Sequence, residues 1–391
     1  MKRFSAQFIF TNTAPPLKRA VITAEDDGTI VKVEESRGEL KETQSVEFYN
    51  GIIVPGFVNC HCHLELSHLK GAISEGRGLS DFLMGIRTLR NYDQKEIITA
   101  AKKVDDDLFR EGVSLCADIC NTPVTFDIKK GSRIRYINLG EVFGIDPDKA
   151  GKRMEEVIQL ARAAKDAGLK LYPVPHSAYS VSLPLFRMLR EKSAGNRVTS
   201  IHFMESESEA ILLKNHSGPM RRSYEDSGLL PASLQMPKNH VTAIIDEVTP
   251  SGNLILVHNT YADRNTVSEV KKRGDTYWCL CPGSNLYIEN KLPAVEMLLE
   301  EDCKIVIGTD SLSSNKKLSI LREMKILQEH FPSVTLEELI RWATINGAEA
   351  LDESHTFGTL EPGKKPGLLL IQDLDLVNFR LTEETNVRRL M

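Results

Sequence analysis

The sequence predicts an α/β protein, a (β/α)8 TIM barrel with a small β-sandwich accessory domain made from both termini. From residue 55 onward, short apolar segments alternate with longer amphipathic segments, which is typical of β/α units that build a parallel sheet. Eight strand segments fit this pattern, the number found in a (β/α)8 barrel. The length of 391 residues suits one large barrel with an accessory domain.

The two ends of the chain are predicted to share the accessory domain, from residues 1–54 and 355–391. An Asp-Gly pair at 27–28 is a strong hairpin signal near the N-terminus. A strand-like segment at 367–371 is expected to rejoin the N-terminal sheet. The barrel is therefore predicted to span residues 55–354. The N-terminal strands are predicted at 4–10, 19–23 and 29–33.

The barrel elements follow one another in β/α order. Strands are predicted at 56–60, 113–118, 134–142, 170–175, 198–203, 254–258, 275–281 and 304–308. Helices are predicted at 94–110, 149–166, 183–192, 266–272, 294–300 and 319–331. The connections 64–92 and 204–249 are too long for simple turns, so we expect long loops, which are commonly lids or binding loops, and leave open whether these two act as lids.

Composition excludes several classes of partner. The formal net charge of -5 and the pI near 6.1 predict no attraction to nucleic acid or to an anionic membrane. No segment approaches the roughly 20 apolar residues of a membrane helix. We therefore expect a small-molecule substrate, and leave open whether the protein forms a homo-oligomer. The chain begins without a recognisable signal peptide and has an odd number of cysteines, 7, which predicts reduced thiols and a cytoplasmic location.

The most informative motif is a pair of histidines after the first barrel strand. An apolar run at 52–58 leads into His61 and His63, one residue apart. In an extended chain, residues i and i+2 point to the same side, so both imidazoles can meet at one metal ion. The motif alone is weak, because histidines at this spacing also occur on ordinary strands.

Further ligand-type residues follow other predicted strands. His176, His202, His258 and Asp310 lie at or just after the ends of strands four, five, six and eight. In this barrel the carboxyl ends of all strands face one rim, so these side chains are expected to converge. Any single histidine of this set is more simply a buried structural residue, but the whole set predicts a site. The other histidines are expected to be structural: His68, His216, His240, His330 and His355.

Several motifs in the same order resemble the amidohydrolase superfamily, over about residues 55–363. They are Pro55-Gly56-Phe57-Val58-Asn59-Cys60-His61-Cys62-His63, His202-Phe203-Met204-Glu205, Val257-His258-Asn259, Cys281-Pro282-Gly283-Ser284-Asn285-Leu286 and Gly308-Thr309-Asp310-Ser311. The similarity is greatest to the cytosine deaminase, chlorohydrolase and adenosylhomocysteine deaminase branch. The Leu64-Glu65 pair is more similar to aminodeoxyfutalosine deaminases.

The resemblance implies a role for each matching residue. His61, His63, His202 and Asp310 match the metal ligands, and Asp310 also matches the residue that takes a proton from the metal-activated water. Glu205 matches the proton shuttle of the deaminases. His258 matches the histidine that holds the attacking water or the carbonyl-like centre, and His176 falls where relatives have a histidine near the substrate.

One divalent metal ion is expected. Three imidazoles and one carboxylate suit Zn²⁺, with Fe²⁺ and Mn²⁺ as alternatives, and leave a position for water. Relatives with two metals bridge them with a modified lysine at the end of strand four. Here that strand ends in Pro173-Val174-Pro175-His176, which favours a single ion.

The candidate substrate contacts each have a structural alternative. Glu65 could bind a substrate ring or cap a loop. Asn285 could line the mouth of the site beside Ser284, or belong to a turn formed by residues 282–284. Arg221 and Arg222 could bind an anionic group of the substrate, or be solvated residues of a polar loop.

These residues together predict a metal-dependent aminohydrolase that deaminates a nitrogen heterocycle, such as a purine nucleoside or a related compound, with release of ammonia. Glu205 favours deamination, because a ring nitrogen needs a proton donor. The alternative within the superfamily is hydrolysis of a cyclic amide or another C–N or C–Cl bond. The alternative from another class is an inactive barrel that serves as a binding or scaffold protein, which predicts missing ligands.

Overall fold

The computed structural model describes residues 1–35, 45–89, 92–248, 252–274 and 276–391. Its strands are β1 Lys2–Ile9, β2 Leu17–Lys18, β3 Val21–Ala24, β4 Ile30–Glu34, β5 Val46–Pro55, β6 Phe57–Cys62, β7 Val113–Cys120, β8 Arg135–Val142, β9 Leu171–Pro175, β10 Val198–Phe203, β11 Asn253–His258, β12 Thr276–Leu280, β13 Lys304–Ile307, β14 Leu368–Gln372 and β15 Asn386–Arg389.

The helices lie mainly between the parallel strands. They are α1 Gly78–Leu89, α2 Gln94–Arg110, α3 Phe126–Gly131, α4 Ala150–Asp166, α5 Leu183–Lys192, α6 Glu207–Asn215, α7 Pro219–Asp226, α8 His240–Thr242, α9 Arg264–Lys271, α10 Pro282–Glu289, α11 Val295–Glu300, α12 Ile320–His330, α13 Leu336–Trp342 and α14 Ile345–Ala350. Short 3-10 helices lie at Leu64–Leu69, Pro123–Thr125 and Pro147–Lys149, and a π-helical turn lies at Ala243–Glu247.

Both ends of the chain contribute to one sheet. Its strand order is β15-β14-β5-β1-β3-β4, with β2 paired to β1. Gly28 has a φ of +93° in the turn between β3 and β4, where an L-residue would be strained, and these strands pair antiparallel as the hairpin signal predicts. The predicted return of the C-terminal strand is confirmed, because β14 pairs antiparallel with β5.

The middle of the chain forms two four-stranded parallel sheets, β6-β7-β8-β9 and β10-β11-β12-β13. Single parallel bridges, Ser177 to His202 and Cys62 to Asp310, link the two sheets at the carboxyl ends of their strands. All eight predicted barrel strands are present, with ends that differ by no more than two residues within the described part of the chain. The predicted first residue of the seventh strand, Asp275, lies outside the described residues.

The predicted helices are also present, but the two long connections differ from expectation. The first contains α1, and the second contains α6, α7 and α8, so both are largely helical rather than loops. Residues 90–91 and 249, at the ends of these predicted loops, lie outside the described part. The turn expected at residues 282–284 is instead the start of α10, where Pro282 occupies the first helical turn and needs no N–H donor there.

Every residue of β6 and β7 is buried, as expected for parallel strands covered on both faces. The functional side chains therefore sit at the ends of rigid, buried strands. Among the described residues, no helix combines the length and apolar character that crossing a bilayer requires. All seven cysteines are free thiols.

Candidate active site

Two histidines meet at the carboxyl end of β6. The Nε2 atoms of His61 and His63 lie 3.1 Å apart. The backbone N–H groups of Thr309 and Asp310 both donate to the carbonyl oxygen of His61 at 3.0 Å, which joins the ends of β6 and β13. The His-x-His pair thus converges on one point, as its spacing predicts.

A third histidine comes from β10. His202 Nδ1–H donates to the carbonyl oxygen of His176 at 2.9 Å. Because a carbonyl can only accept, this contact places the ring proton on Nδ1 and leaves the Nε2 lone pair free for a metal. Ligand nitrogens of His61, His63 and His202 all lie within 4.8 Å of one another.

Asp310 completes the cluster. Its Oδ1 lies 3.4 Å from His63 Nε2 and 3.7 Å from His61 Nε2. Its backbone is in the left-handed region, with a φ of +56°. Burial opposes ionisation, but His63, His258 and hydrogen bonds from serine hydroxyls outweigh burial and hold the pKa of Asp310 below its ordinary value. The carboxylate is therefore ionised at neutral pH.

The donor set fits a divalent cation. Burial lowers the pKa of His63 to about 3 and holds the pKa of His61 well below its usual range. Both rings are therefore neutral at pH 7, the state in which imidazole binds metal. When the one N–H of each neutral ring is on Nδ1, the Nε2 lone pairs of His61 and His63 face each other and the Asp310 carboxylate, and a cation at their centre satisfies all three. Three imidazoles and one carboxylate are a common set for Zn²⁺ and similar ions.

A buried acid lies next to this cluster. Glu205 Oε1 accepts a hydrogen bond from the Tyr179 hydroxyl at 2.6 Å, and its Oε2 lies 3.3 Å from His258 Nε2. Burial and the nearby Glu209 carboxylate raise the pKa of Glu205 well above its ordinary value. Burial lowers the pKa of His258 to about 3, so that ring is neutral. This shift of the Glu205 pKa favours the protonated acid, the form that can donate a proton.

These groups line a cavity of about 430 Å³, a volume in the range of small-molecule sites. The polar end of the cavity is lined by His63, His202, His258, Asp310 and Glu205. The apolar wall of the cavity is lined by Leu79, Phe82, Leu83 and Ile86 of α1 and by Leu229.

The pattern of the Amidohydrolase family matches residues 52–390. The chain belongs to the amidohydrolase family. It is 23% identical over 351 residues to a 5-methylthioadenosine/S-adenosylhomocysteine deaminase of Pyrococcus abyssi, covering 86% of this chain and 77% of the relative. It is 24% identical over 333 residues to an adenosine deaminase of Helicobacter pylori, covering 82% and 79%.

The fold of this amidohydrolase is similar to that of Helicobacter pylori aminofutalosine deaminase, solved in complex with methylthio-coformycin. The two chains superpose with a TM-score of 0.83 over 100% of each, at 21% identity. At this identity the similarity is evidence for the fold alone.

Two further predicted residues lie beside the cluster. His176 lines the cavity, and its Nδ1 lies 2.7 Å from Ser180 Oγ. Asn285 is buried; its Nδ2 donates to Thr260 Oγ1 at 2.6 Å and lies 3.4 Å from His258 Nδ1. Asn285 does not line the cavity, so the structure places it behind His258 rather than against a substrate.

Of the two predicted roles of Glu65, binding a substrate ring or capping a loop, the structure shows the contacts of a loop cap. Its Oε2 accepts hydrogen bonds from the backbone N–H groups of Asn121 and Thr122, both at 3.1 Å, and from the Thr122 hydroxyl at 3.0 Å. Glu65 thus caps the loop after β7, and it does not line the amidohydrolase cavity. A contact with substrate stays a prediction that the structure does not favour.

The paired arginines also lie away from the site. Arg221 lies in α7, bonded to Glu225 at 2.8 Å and to the carbonyl oxygen of His216 at 2.9 Å, and Arg222 is exposed. Neither lines the cavity. Their placement is that of solvated helix residues, because the segment expected to be a binding loop is a helix whose polar face is turned outward.

Sequence reasoning missed several lining residues of the cavity, among them Tyr179 and those of the apolar wall. Tyr179 has no spacing signal, since its role depends on the distant Glu205. The apolar wall did have a signal: Leu79, Phe82, Leu83 and Ile86 follow the i, i+3, i+4, i+7 pattern of an amphipathic helix.

Proposed function

We propose that this chain is a divalent-metal-dependent aminohydrolase that replaces the amino group of a purine nucleoside-like heterocycle with oxygen and releases ammonia. The observation that carries the proposal is the position of Glu205, a buried carboxyl group 3.3 Å from His258 Nε2 at the polar end of the cavity, beside the cluster of metal-ligand residues. A buried acid at this position can protonate a ring nitrogen or a leaving group. A deaminase needs one, because the ring nitrogen must be protonated as water adds.

His61, His63, His202 and Asp310 would hold the metal ion. When bound, the ion supplies Lewis acidity that makes water nucleophilic at neutral pH. We propose Zn²⁺ as the ion, with Fe²⁺ and Mn²⁺ as alternatives, because all three accept nitrogen and oxygen ligands. The free Oδ1 of Asp310, directed at the histidines, is suited to accept the proton of the attacking water.

Glu205 is the proposed proton donor. The Tyr179 hydroxyl occupies Oε1, so the acid proton belongs on Oε2, the oxygen next to His258. From there Glu205 can protonate the ring nitrogen and, once ionised, carry a proton to the leaving amine. His258 is neutral and held by Asn285, which suits it to accept or donate a hydrogen bond at the reacting carbon. His176 is proposed to contact the substrate, since it lines the cavity.

The names of the relatives support the substrate class. The two curated relatives are deaminases of adenine nucleosides by name, and the structural neighbour is named for aminofutalosine. A cavity of about 430 Å³ with one polar end and one apolar wall can accept a base at the acid and a less polar substituent against α1.

We further infer that the two parallel sheets close into one eight-stranded barrel over residues 55–354. The Ser177 to His202 and Cys62 to Asp310 bridges lie at the two seams and support closure. The accessory domain of residues 1–54 and 355–391 is one continuous sheet in the described residues, so its sandwich form stays a prediction. A cytoplasmic location and a homo-oligomer also stay predictions.

The test is ammonia release by metal-reconstituted protein across a panel of aminated purines, pyrimidines, pterins and nucleosides, including aminodeoxyfutalosine. Glu205→Gln serves as the control. We expect ammonia from one class of adenine nucleoside, and a loss of about 10²- to 10⁴-fold in the variant with metal retained. Silence across the panel with stoichiometric metal would reject deamination and favour hydrolysis of a cyclic amide, and near-normal turnover by Glu205→Gln would reject its role as proton donor.

A further inference from the structure

The carboxylate of Asp310 is held on one side by two hydroxyl groups. Its Oδ2 accepts hydrogen bonds from Ser284 Oγ at 2.6 Å and from Ser314 Oγ at 2.7 Å. Both serines are fully buried. Two donors occupy the two lone-pair directions of Oδ2, so Oδ1 is the oxygen left to face His61 and His63. The two hydroxyl groups thus determine how Asp310 is turned.

The two serines belong to separate segments of the chain. Ser284 lies in the first turn of α10, after β12, whereas Ser314 lies between β13 and α12. The covalent chain alone does not hold these segments together, because each belongs to a different β/α unit. Another contact must fix their distance for both hydroxyl groups to reach one oxygen.

Glu323, in the first turn of α12, makes that contact. Its Oε2 accepts the backbone N–H of Gly283 at 2.6 Å, and its Oε1 accepts Asn315 Nδ2–H at 2.9 Å. Gly283 immediately precedes Ser284, and Asn315 immediately follows Ser314. One carboxylate, itself fully buried, therefore bonds both segments at the residue next to each serine.

The surroundings of Glu323 leave little freedom. A Cβ atom on Gly283 would lie 2.7 Å from both Glu323 Oε1 and Asn315 Nδ2, so the carboxylate packs directly against the backbone. Arg322 donates to Asn315 Oδ1 at 2.6 Å, and Asn315 Nδ2 also donates to the carbonyl oxygen of Thr309 at 2.9 Å. These bonds fix the orientation of the amide, so that its donor faces Glu323.

We propose that Glu323 is a positioning residue of the metal centre. It clamps the segments that carry Ser284 and Ser314, and through their hydroxyl groups it turns Oδ1 of Asp310 toward the metal-ligand histidines. The inference rests on the proposed metal site, but not on the identity of the substrate. Glu323 does not line the cavity, so it acts only through these neighbours. Outer-shell partners of metal ligands commonly contribute about 10- to 100-fold to metal affinity.

The test measures Zn²⁺ affinity by competition with a chromophoric chelator, for the full chain stripped of metal. In Glu323→Gln the side chain keeps its shape, but its amide nitrogen must face one of the two donors. We expect a loss of about 10- to 100-fold in Zn²⁺ affinity with a native circular dichroism spectrum. The matched control is Glu329→Gln, an exposed glutamate of the same helix, which should leave the affinity unchanged.

A coupling measurement separates positioning from a general effect on the fold. The double variant Ser284→Ala/Ser314→Ala should weaken Zn²⁺ binding by a similar factor. Adding Glu323→Gln to that double variant should lower the Zn²⁺ affinity by less than a further threefold, because the two hydroxyl groups through which Glu323 acts are already absent. Full additivity would overturn the proposal, and so would an unchanged affinity in folded Glu323→Gln.

If Glu323→Gln does not fold, Asn315→Ala takes its place, since it removes one of the two donors to Glu323. An unchanged Zn²⁺ affinity in Asn315→Ala would overturn the proposal. Chelator competition needs no substrate. Weakened Zn²⁺ binding in these variants, together with silence of the unaltered protein in the ammonia assay, would therefore reject the proposed reaction and leave the positioning role intact.

Discussion

The two ends of the cavity are built on different principles. At the polar end, functional groups are held by directional hydrogen bonds: His202 by a backbone carbonyl, Asp310 by two serines and Glu205 by Tyr179. At the other end, α1 presents an apolar face that includes Phe82 and Leu83. Chemistry requires fixed atoms, whereas an apolar wall stabilises a ligand in proportion to the area it covers. Substitutions at the polar end should therefore change rate, and those on the apolar wall should change binding.

The largest effect is expected from removal of the metal. Chelation should abolish ammonia release and lower the melting temperature, and returned Zn²⁺ should restore both. A ligand that binds only the folded chain adds about 2.7 kcal/mol at a concentration 100 times its Kd. His61→Asn should lose the metal-dependent shift in melting, whereas His330→Asn, an exposed histidine of α12, should keep it. Equal melting with and without metal in the unaltered protein would contradict the assigned ligands.

Tyr179→Phe should lower kcat by about 10- to 100-fold, because a hydrogen bond to an ionisable group contributes about 1.5–3 kcal/mol. Donation from Tyr179 lowers the pKa of Glu205, so its loss should raise that pKa. The acid form then persists to higher pH, and the alkaline limb of the kcat/KM profile should move upward. Tyr49→Phe, which removes a tyrosine hydroxyl bonded to Glu47 in β5, away from the cavity, is the control. If Tyr179→Phe left the alkaline limb of the kcat/KM profile in place and kept kcat within twofold of the unaltered protein, Tyr179 would have no role in tuning Glu205.

On the apolar wall, Leu83→Ala should raise KM by about five- to tenfold and change kcat by less than twofold, since roughly 1 kcal/mol of apolar contact is lost. Steady-state kinetics on the substrate found in the panel would measure both constants. Ile98→Ala, on the exposed face of α2, should leave both unchanged. A fall in kcat with constant KM would mean that α1 shapes the reacting geometry, and that the two ends are not separate in function.

The smallest effect is expected for Arg221→Ala and Arg222→Ala. Both side chains lie on α7 outside the cavity, so KM should stay within twofold for nucleosides with and without a carboxylate. The comparison of the two substrates is the measurement. A tenfold rise in KM confined to the carboxylate-bearing nucleoside would place an arginine in the bound complex and restore the original prediction.

The parts of the site that sequence could predict are those that depend on residue type and local spacing. His61 and His63 share one side of a strand because strand periodicity is two, and His202 and Asp310 end strands that the apolar pattern had marked. Ser284, Ser314 and Glu323 could not be found this way, because a buried serine or glutamate acquires its role only from partners distant in the chain. The periodicity of α1 is present in the sequence, but the connection that contains it was predicted to be a loop because of its length.

The sequence by itself determined the order of β/α elements, the return of the C-terminal strand and the shared side of His61 and His63, since periodicity is a local property. Tertiary structure alone decided which oxygen of Asp310 faces the histidines, that Glu65 caps a loop and that Glu205 lies between Tyr179 and His258. Those outcomes depend on burial and on hydrogen-bond partners from other strands. Such contacts exist only after the chain has folded, and no local spacing encodes them.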